Sequence, residues 1–238
     1  MATPGTPLPG WRHQRLDELS WPEIGSDRST WLVVPVGSTE QHGPHLPFGT
    51  DSIVAEALAD RLCETRRDSL RAPLIAYGAS GEHQGFPGTV SIGTAALSLL
   101  LTELLRSARA SFAGIVAVSG HGGNAQALAT ARAIADHEGD RLIVFEPRLE
   151  GIDLHAGRAE TSLLLALRPG LVRHDEIVSG TTSSLAEISH ALRHEGVAAV
   201  SPTGILGDPR EASAEEGQLL FDAMSSQLLA LLEGEVGP

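Results

Sequence analysis

The chain has 238 residues, 42% hydrophobic and 20% charged, which fits one α/β domain over residues 1–238 better than two small ones. A formal net charge of −13, with arginines scattered rather than gathered on one face, argues against a nucleic-acid partner, and no apolar run is long enough to cross a bilayer. The single cysteine, Cys63, excludes a disulfide within the chain and fits a cytoplasmic protein; its apolar-periodic surroundings read as a small buried hydrophobe rather than a nucleophile.

In chain order, residues 1–12 read as a flexible leader without the basic region and apolar core of a secretory signal. Residues 31–36 form a short apolar, β-rich run closed by Gly37, hence a buried strand, and the Gly/Pro-punctuated stretch 38–50 is a loop. From Asp51 the pattern turns helical, with Ile53, Val54, Ala57, Leu58 and Leu62 on one side and Asp51 or Ser52 as N-cap. The unit recurs as strand 72–77, loop 78–94 and helix 95–112. It recurs again as strand 115–119, turn 120–123 and helix 125–137, and a fourth strand is expected at 142–145. Later helices are expected at 156–167, 184–195 and 211–232, with a strand-like stretch at 197–206. Such alternation predicts a mainly parallel sheet with helices on both faces. Loops leaving the carboxyl ends of its strands then meet at one edge, where ligands bind.

Those loops hold the densest His and carboxylate content. Glu40 and His42 are two apart, so in an extended segment both side chains leave on one side. Asp51 returns to that point if the loop folds over, with a carboxylate able to bridge two cations, and His121 reaches the edge from a neighbouring strand. Imidazole plus carboxylate without thiolate suits Zn, Mn or Fe in a catalytic site. Two such cations ~3.5–4 Å apart lower the pKa of a water and polarise an amide carbonyl, so hydrolysis is the expected reaction class.

His155 and Glu160 flank the start of a helix, and two readings stand at that point. One is a capping His on a solvated helix face; in the other Glu160 completes the ligand set and His155 moves protons. Residues 81–89 are too rich in turn formers for a helix or strand and read as a shaped loop that brings His83 to the wall of a substrate pocket. His45 is a candidate partner behind the ligands; His13, His137, His174, His190 and His194 read as surface residues. Gly120-His-Gly-Gly-Asn-Ala125 also fits a dinucleotide fingerprint, with Glu146 ending the next strand. It does not follow the first strand, however, and its His would crowd a pyrophosphate. Ser119 lacks the spacing of a nucleophile elbow.

The stretch Gly37-Ser-Thr-Glu40-Gln-His42-Gly-Pro-His45-Leu-Pro with Asp51 resembles the creatininase family of metal-dependent amidohydrolases. Phe86-Pro-Gly-Thr89, Ser119-Gly-His121-Gly-Gly-Asn124 and His155-Ala-Gly-Arg-Ala-Glu160-Thr-Ser fit the same family in the same order. The resemblance implies a three-layer α/β/α fold, two divalent metal ions per subunit (Zn, Fe or Mn) and a homo-oligomer. It places Glu40, His42, Asp51 and His121 on metal-ligand positions, with Asp51 bridging. Glu160 takes the remaining carboxylate position and His155 a proton-transfer position, and Phe86 and Asn124 join His83 at the substrate pocket. The family's namesake carries a carboxylate two residues after the matching His, where this chain has Gly123, and packs later tryptophans over its substrate, whereas Trp11, Trp21 and Trp31 are all early. These departures point away from creatinine. Residues 82–93 look more like the mycofactocin-associated branch, peptidases that release a C-terminal Val-Tyr dipeptide from a modified precursor peptide. Hydrolysis of a small cyclic amide or formamide is the alternative within the family, and a nucleotide-binding or scaffold protein the alternative outside it.

Overall fold

Four strands lie parallel in one sheet among the described residues: β1 (Trp31–Val36), β2 (Ser69–Arg71), β3 (Gly114–Ser119) and β4 (Leu142–Phe145), in the order β2-β1-β3-β4. This computed structural model describes residues 15–24, 28–148 and 151–236; the expected leader, Trp11 and His13 lie outside the described residues.

The all-apolar sequence of β1 follows from burial on both faces, and alternate residues go to opposite layers. Trp31, Val33, Val116, Val118, Ile143 and Phe145 pack with α1 (Thr50–Thr65), α4 (Arg158–Leu167) and α7 (Ala214–Val236), through residues such as Leu58, Leu164 and Leu228. Leu32, Val34, Val36, Ile115 and Ala117 face the other way, against Leu97, Leu101 and Leu105 of α2 (Gly93–Ala108) and Leu128 of α3 (Ala125–Glu138). Each fully buried Leu contributes roughly 1.5–3 kcal/mol. The result is the expected α/β/α arrangement. No helix among the described residues is long and apolar enough to cross a membrane.

Three expectations about elements need correction. The strand expected at 72–77 lies earlier, at Ser69–Arg71, and beyond it only Ile75 bridges to β1. Neither Pro35 nor Pro73 has an N–H, so the ladder is interrupted between Ala72, which donates to the Val33 carbonyl, and Ile75, which donates to that of Pro35. The stretch 197–206 is a short helix, α6 (Val197–Val200), and a turn through Pro202 and Gly204, whose φ is +77°. It packs beside α5 (Leu185–Glu195), which starts at a capping box formed by Ser184 and Glu187. Asp51 is not an N-cap: α1 begins at Thr50 after Gly49, and Asp51 sits in the first turn. Boundaries shift elsewhere. α2 ends at Ala108 rather than 112, and α7 begins at Ala214 after a 3-10 turn at Pro209–Glu211. α4 begins at Arg158 because the Asp153 carboxylate accepts the N–H groups of Arg158 and Ala159.

Candidate metal centre

The segments that follow the four strands converge at the carboxyl edge of the sheet. After β1 the chain is folded back on itself, with Glu40 N–H donating to the Phe48 carbonyl at 3.2 Å and His42 bridging Leu46. That fold returns Asp51 to the edge, where Ser38 Oγ donates to Asp51 Oδ2 at 2.6 Å and Ser52 Oγ to the Ser38 carbonyl at 3.0 Å. The approach is close enough to require glycine immediately after both neighbouring strands. A Cβ on Gly37 would lie 2.2 Å from Ser52 Oγ, and one on Gly120 would lie 2.2 Å from the Asp51 carbonyl oxygen.

Four residues expected as ligands meet there, all buried. His42 Nε2 is 3.1 Å from Asp51 Oδ1, and His121 Nδ1 is 3.2 Å from Asp51 Oδ2. His121 Nε2 is 3.1 Å from Glu40 Oε2. Glu160 enters from α4, half-buried, with Oε2 3.7 Å from His42 Nε2 and accepting the Ala156 N–H at 2.6 Å. Ala156 holds that geometry at a φ of +51°, a strained value for a residue with a Cβ. His42 Nδ1 lies 3.1 Å from the Glu40 carbonyl, so it is the donor there, and Nε2 is the ring nitrogen turned to the cluster, where a cation would displace its proton. Three overlapping sets bring their ligand atoms within 4.8 Å of one another: Glu40, Asp51 and His121; His42, Asp51 and Glu160; Glu40, His42 and His155. Asp51 belongs to two of them, with one oxygen toward each histidine.

The charges are arranged as a cation site requires. Both Glu40 oxygens are buried without a hydrogen-bond partner, a costly state for a carboxylate unless a cation or proton compensates. Burial, then the Asp51 charge, pushes the Glu40 carboxyl up to about 8 against the pull of His121 and His42. Burial opposes charge on His42 and His121, yet Asp51 outweighs it and raises them to about 10 and about 9. Burial likewise works against the Asp51 carboxylate, but His42 and His121 hold it well below the usual range. Glu160 is raised, mainly by burial. A buried donor set of nitrogen and oxygen without sulfur, two carboxylate oxygens left unpartnered and a shared carboxylate fit divalent metal ions.

The remaining expectations divide. His155 and His83 both reach the cluster, their ring centroids 4.4 Å apart, with His155 also 4.4 Å from His42. Burial, then neighbouring imidazoles, lowers His83 to about 3 and His155 well below its ordinary value, so both are neutral. His45 braces the loop, its Nε2 2.8 Å from Thr161 Oγ1 on α4. Asn124, expected in the pocket wall, is fully buried: its Oδ1 accepts the Ala79 N–H and its Nδ2 donates to the Gly37 carbonyl, tying three loops together. Phe86, also expected there, is half-buried and packs with Ile188, Leu192 and Val197. His137, His174, His190 and His194 are exposed. Sequence reasoning passed over Gln41, Ser38 and Glu82. Gln41 stands between two candidate ligands, which was the available signal. Glu82 Oε1 is 4.0 Å from His121 Nε2, and a Cβ on Gly123 would meet His121 Nε2 at 2.3 Å and Glu82 Oε1 at 2.7 Å. The space beside His121 is therefore filled from the neighbouring loop. The same crowding, with Glu40 and Asp51 facing it, makes the 120–125 turn unfit for a pyrophosphate. A cavity of about 180 Å³ opens on Asp51, His121 and Glu160, with Val54, Leu163 and Met224 as apolar wall.

Known proteins resemble this chain in sequence and in fold. The family profile described as creatinine amidohydrolase matches residues 17–232. The mycofactocin precursor peptide peptidase of Mycolicibacterium smegmatis is 53% identical over 198 residues, 81% of this chain and 80% of that one. Two solved creatininases, one with Mn and a variant of the Zn-Zn type, superpose with TM-scores of 0.78 at 25% and 26% identity, each covering 94% of this chain and 98% of its own. With the profile spanning nearly the whole chain and a relative 53% identical, this chain belongs to the creatininase family.

Proposed function

We propose that the protein is a metal-dependent peptidase that hydrolyses a peptide bond near the C-terminus of the mycofactocin precursor peptide, releasing a Val-Tyr dipeptide. The observation that carries the chemistry is the pair of donor sets sharing Asp51 around the unpartnered Glu40 carboxylate. The name and 53% identity of the mycobacterial relative support the substrate. In this reading Glu40, Asp51 and His121 hold one divalent ion and His42, Asp51 and Glu160 a second, drawn from Zn, Fe or Mn. The domain spans residues 1–238 and works as a cytoplasmic homo-oligomer.

Bound ions supply Lewis acidity toward the scissile carbonyl and acidify the attacking water. The chain's own residues do the rest. Neutral His155 accepts the proton lost by the water and delivers it to the departing amine, while the neutral His83 ring offers a hydrogen bond. Val54, Leu163 and Met224 line the approach and exclude water from one side of the cluster. In the test, protein loaded separately with Zn, Fe or Mn is incubated with modified precursor peptide and followed by mass spectrometry, beside a small cyclic amide. Loss of the C-terminal dipeptide mass, abolished by chelation and by His121→Ala, is expected. Intact peptide together with hydrolysis of the cyclic amide overturns the reading.

A further inference from the structure

Gln41 sits between Glu40 and His42, yet its side chain turns into a buried space shared by His83, His155 and the turn at Gly204. Two backbone groups fix which end of its amide is which. The Gly43 N–H, which can only donate, lies 2.9 Å from Oε1; the Gly204 carbonyl, which can only accept, lies 3.1 Å from Nε2. A reversed amide would set donor against donor and acceptor against acceptor. Both glycines have left-handed φ, +66° and +77°, and a Cβ on Gly204 would lie 1.9 Å from Gln41 Oε1, so the seat is built for this side chain.

The ring hydrogens follow. The atom 2.9 Å from His83 Nδ1 is an amide NH₂, so Nδ1 accepts and the ring hydrogen is on Nε2, which lies on the cluster side of the ring, 3.4 Å from Glu40 Oε1. His155 Nε2 lies 2.8 Å from the Gln41 main-chain carbonyl, so its hydrogen is also on Nε2. Its Nδ1 keeps the lone pair and faces the same Glu40 oxygen at 3.8 Å. The two amide hydrogens of Gln41 are used on Gly204 and His83, which leaves its 3.1 Å approach to His155 Nε2 as a contact only. Both rings thus carry the same tautomer but are turned opposite ways, and the centre meets an N–H from one and a lone pair from the other.

We propose that Gln41 is a positioning residue for hydrolysis: its side-chain amide locks His83, and its carbonyl locks His155, so that the centre receives one donor and one acceptor. The catalytic consequence rests on the peptidase reading; the tautomers do not. As the water oxygen bonds to the carbonyl carbon, its proton passes to His155 Nδ1. When the C–N bond breaks, that proton goes to the departing nitrogen, and His83 Nε2–H serves the negatively charged oxygen without losing its hydrogen.

The test uses the full chain with ¹⁵N-labelled histidine, zinc-loaded and after chelation, with signals assigned through His83→Phe and His155→Phe. Long-range ¹H–¹⁵N spectra are expected to show Nε2 protonated and Nδ1 bare in both rings. Gln41→Glu keeps the acceptor for Gly43 but cannot donate. It is expected to move the His83 hydrogen to Nδ1, leave His155 unchanged, and lower kcat ~100-fold or more with KM and metal content within about twofold. A wild-type spectrum with His83 Nδ1 protonated overturns the proposal whether or not the variant folds. So does a Gln41→Glu protein with unchanged His83 signals and kcat. Absence of peptide cleavage with the expected spectra counts against the peptidase reading alone.

Discussion

Glu40→Gln should make the metal-free protein more stable while destroying the reason for the residue. Glu40 is fully buried, neither oxygen has a hydrogen-bond partner, and burial with the Asp51 charge lifts its carboxyl from 4.5 to about 8. A carboxyl raised on folding contributes its full stability below the unfolded value of 4.5 and loses it as pH rises toward 8. At pH 7 the loss is about 3 kcal/mol, because folding must take up a proton that the unfolded chain has released. Glutamine has nearly the same shape and no proton to take up. For a chain of this size ~3 kcal/mol corresponds to roughly 6–12 °C in Tm. The assay is thermal and urea unfolding of both chelated proteins at pH 4.5 and 7, repeated with excess zinc. At pH 7 the chelated variant should melt higher, the gap should nearly close at pH 4.5, and zinc at ~100 times its Kd should stabilise the parent by about 2.7 kcal/mol and the variant far less. A chelated variant no more stable than the parent at pH 7, or a gap equal at both pH values, refutes the account of Glu40 as a carboxylate held for a cation.

Metal loading should release protons. His42, His121 and Glu40 titrate at about 10, about 9 and about 8 in the metal-free protein, so at pH 7 each holds a proton that a cation displaces. Calorimetry in buffers of different ionisation enthalpy should count about three, with affinity rising with pH; no release would contradict the ligand set. Cys63 is half-buried against the α1 side of the core, and burial, then the Asp60 charge, pushes its thiol up to about 12. Iodoacetamide at pH 8 should leave it unmodified until the protein is unfolded, by intact mass, and rapid native alkylation would show the helix packing to be wrong. Its linkage adds alkaline sensitivity: stability is constant below the unfolded thiol value and falls as pH rises through it toward 12.

How far the sequence could be read depended on whether a residue's role is local. Strand 142–145 was placed at its bounds and 31–36 likewise, because a β-rich apolar run in a parallel sheet is buried whatever its neighbours do. Glu40, His42 and His121 stand out in the sequence because they lie in loops that leave strand ends, and Asp51 because it opens the helix that follows the first of those loops. Strand 72–77 was misplaced because its ladder depends on two prolines 38 residues apart, Pro35 and Pro73, whose adjacency only the fold creates. Asn124 reads as pocket wall in the sequence because it follows the candidate ligand His121 by three residues. Its amide is spent on backbone 87 and 45 residues away, which no spacing rule reaches. Gln41 was passed over for the same reason: its partners His155 and Gly204 lie 114 and 163 residues on.

That same long-range bracing explains why one carboxylate can serve two donor sets. Asp51 lies in the first turn of α1, where the helix dipole favours negative charge and the backbone cannot drift without moving sixteen residues of packed helix. Its carbonyl is pressed against Gly120 and its Oδ2 is held by Ser38, so strands β1 and β3 both locate it. Glu40 and His42, by contrast, sit in a loop whose position is set by His45 on Thr161 and by the Gly204 turn against Gln41. The cluster is thus a fixed carboxylate met by side chains from loops fastened to the later part of the chain, the part that also carries His155 and Glu160. Changes at the Gly204 turn should therefore alter the donors facing Asp51 while leaving Asp51 itself in place.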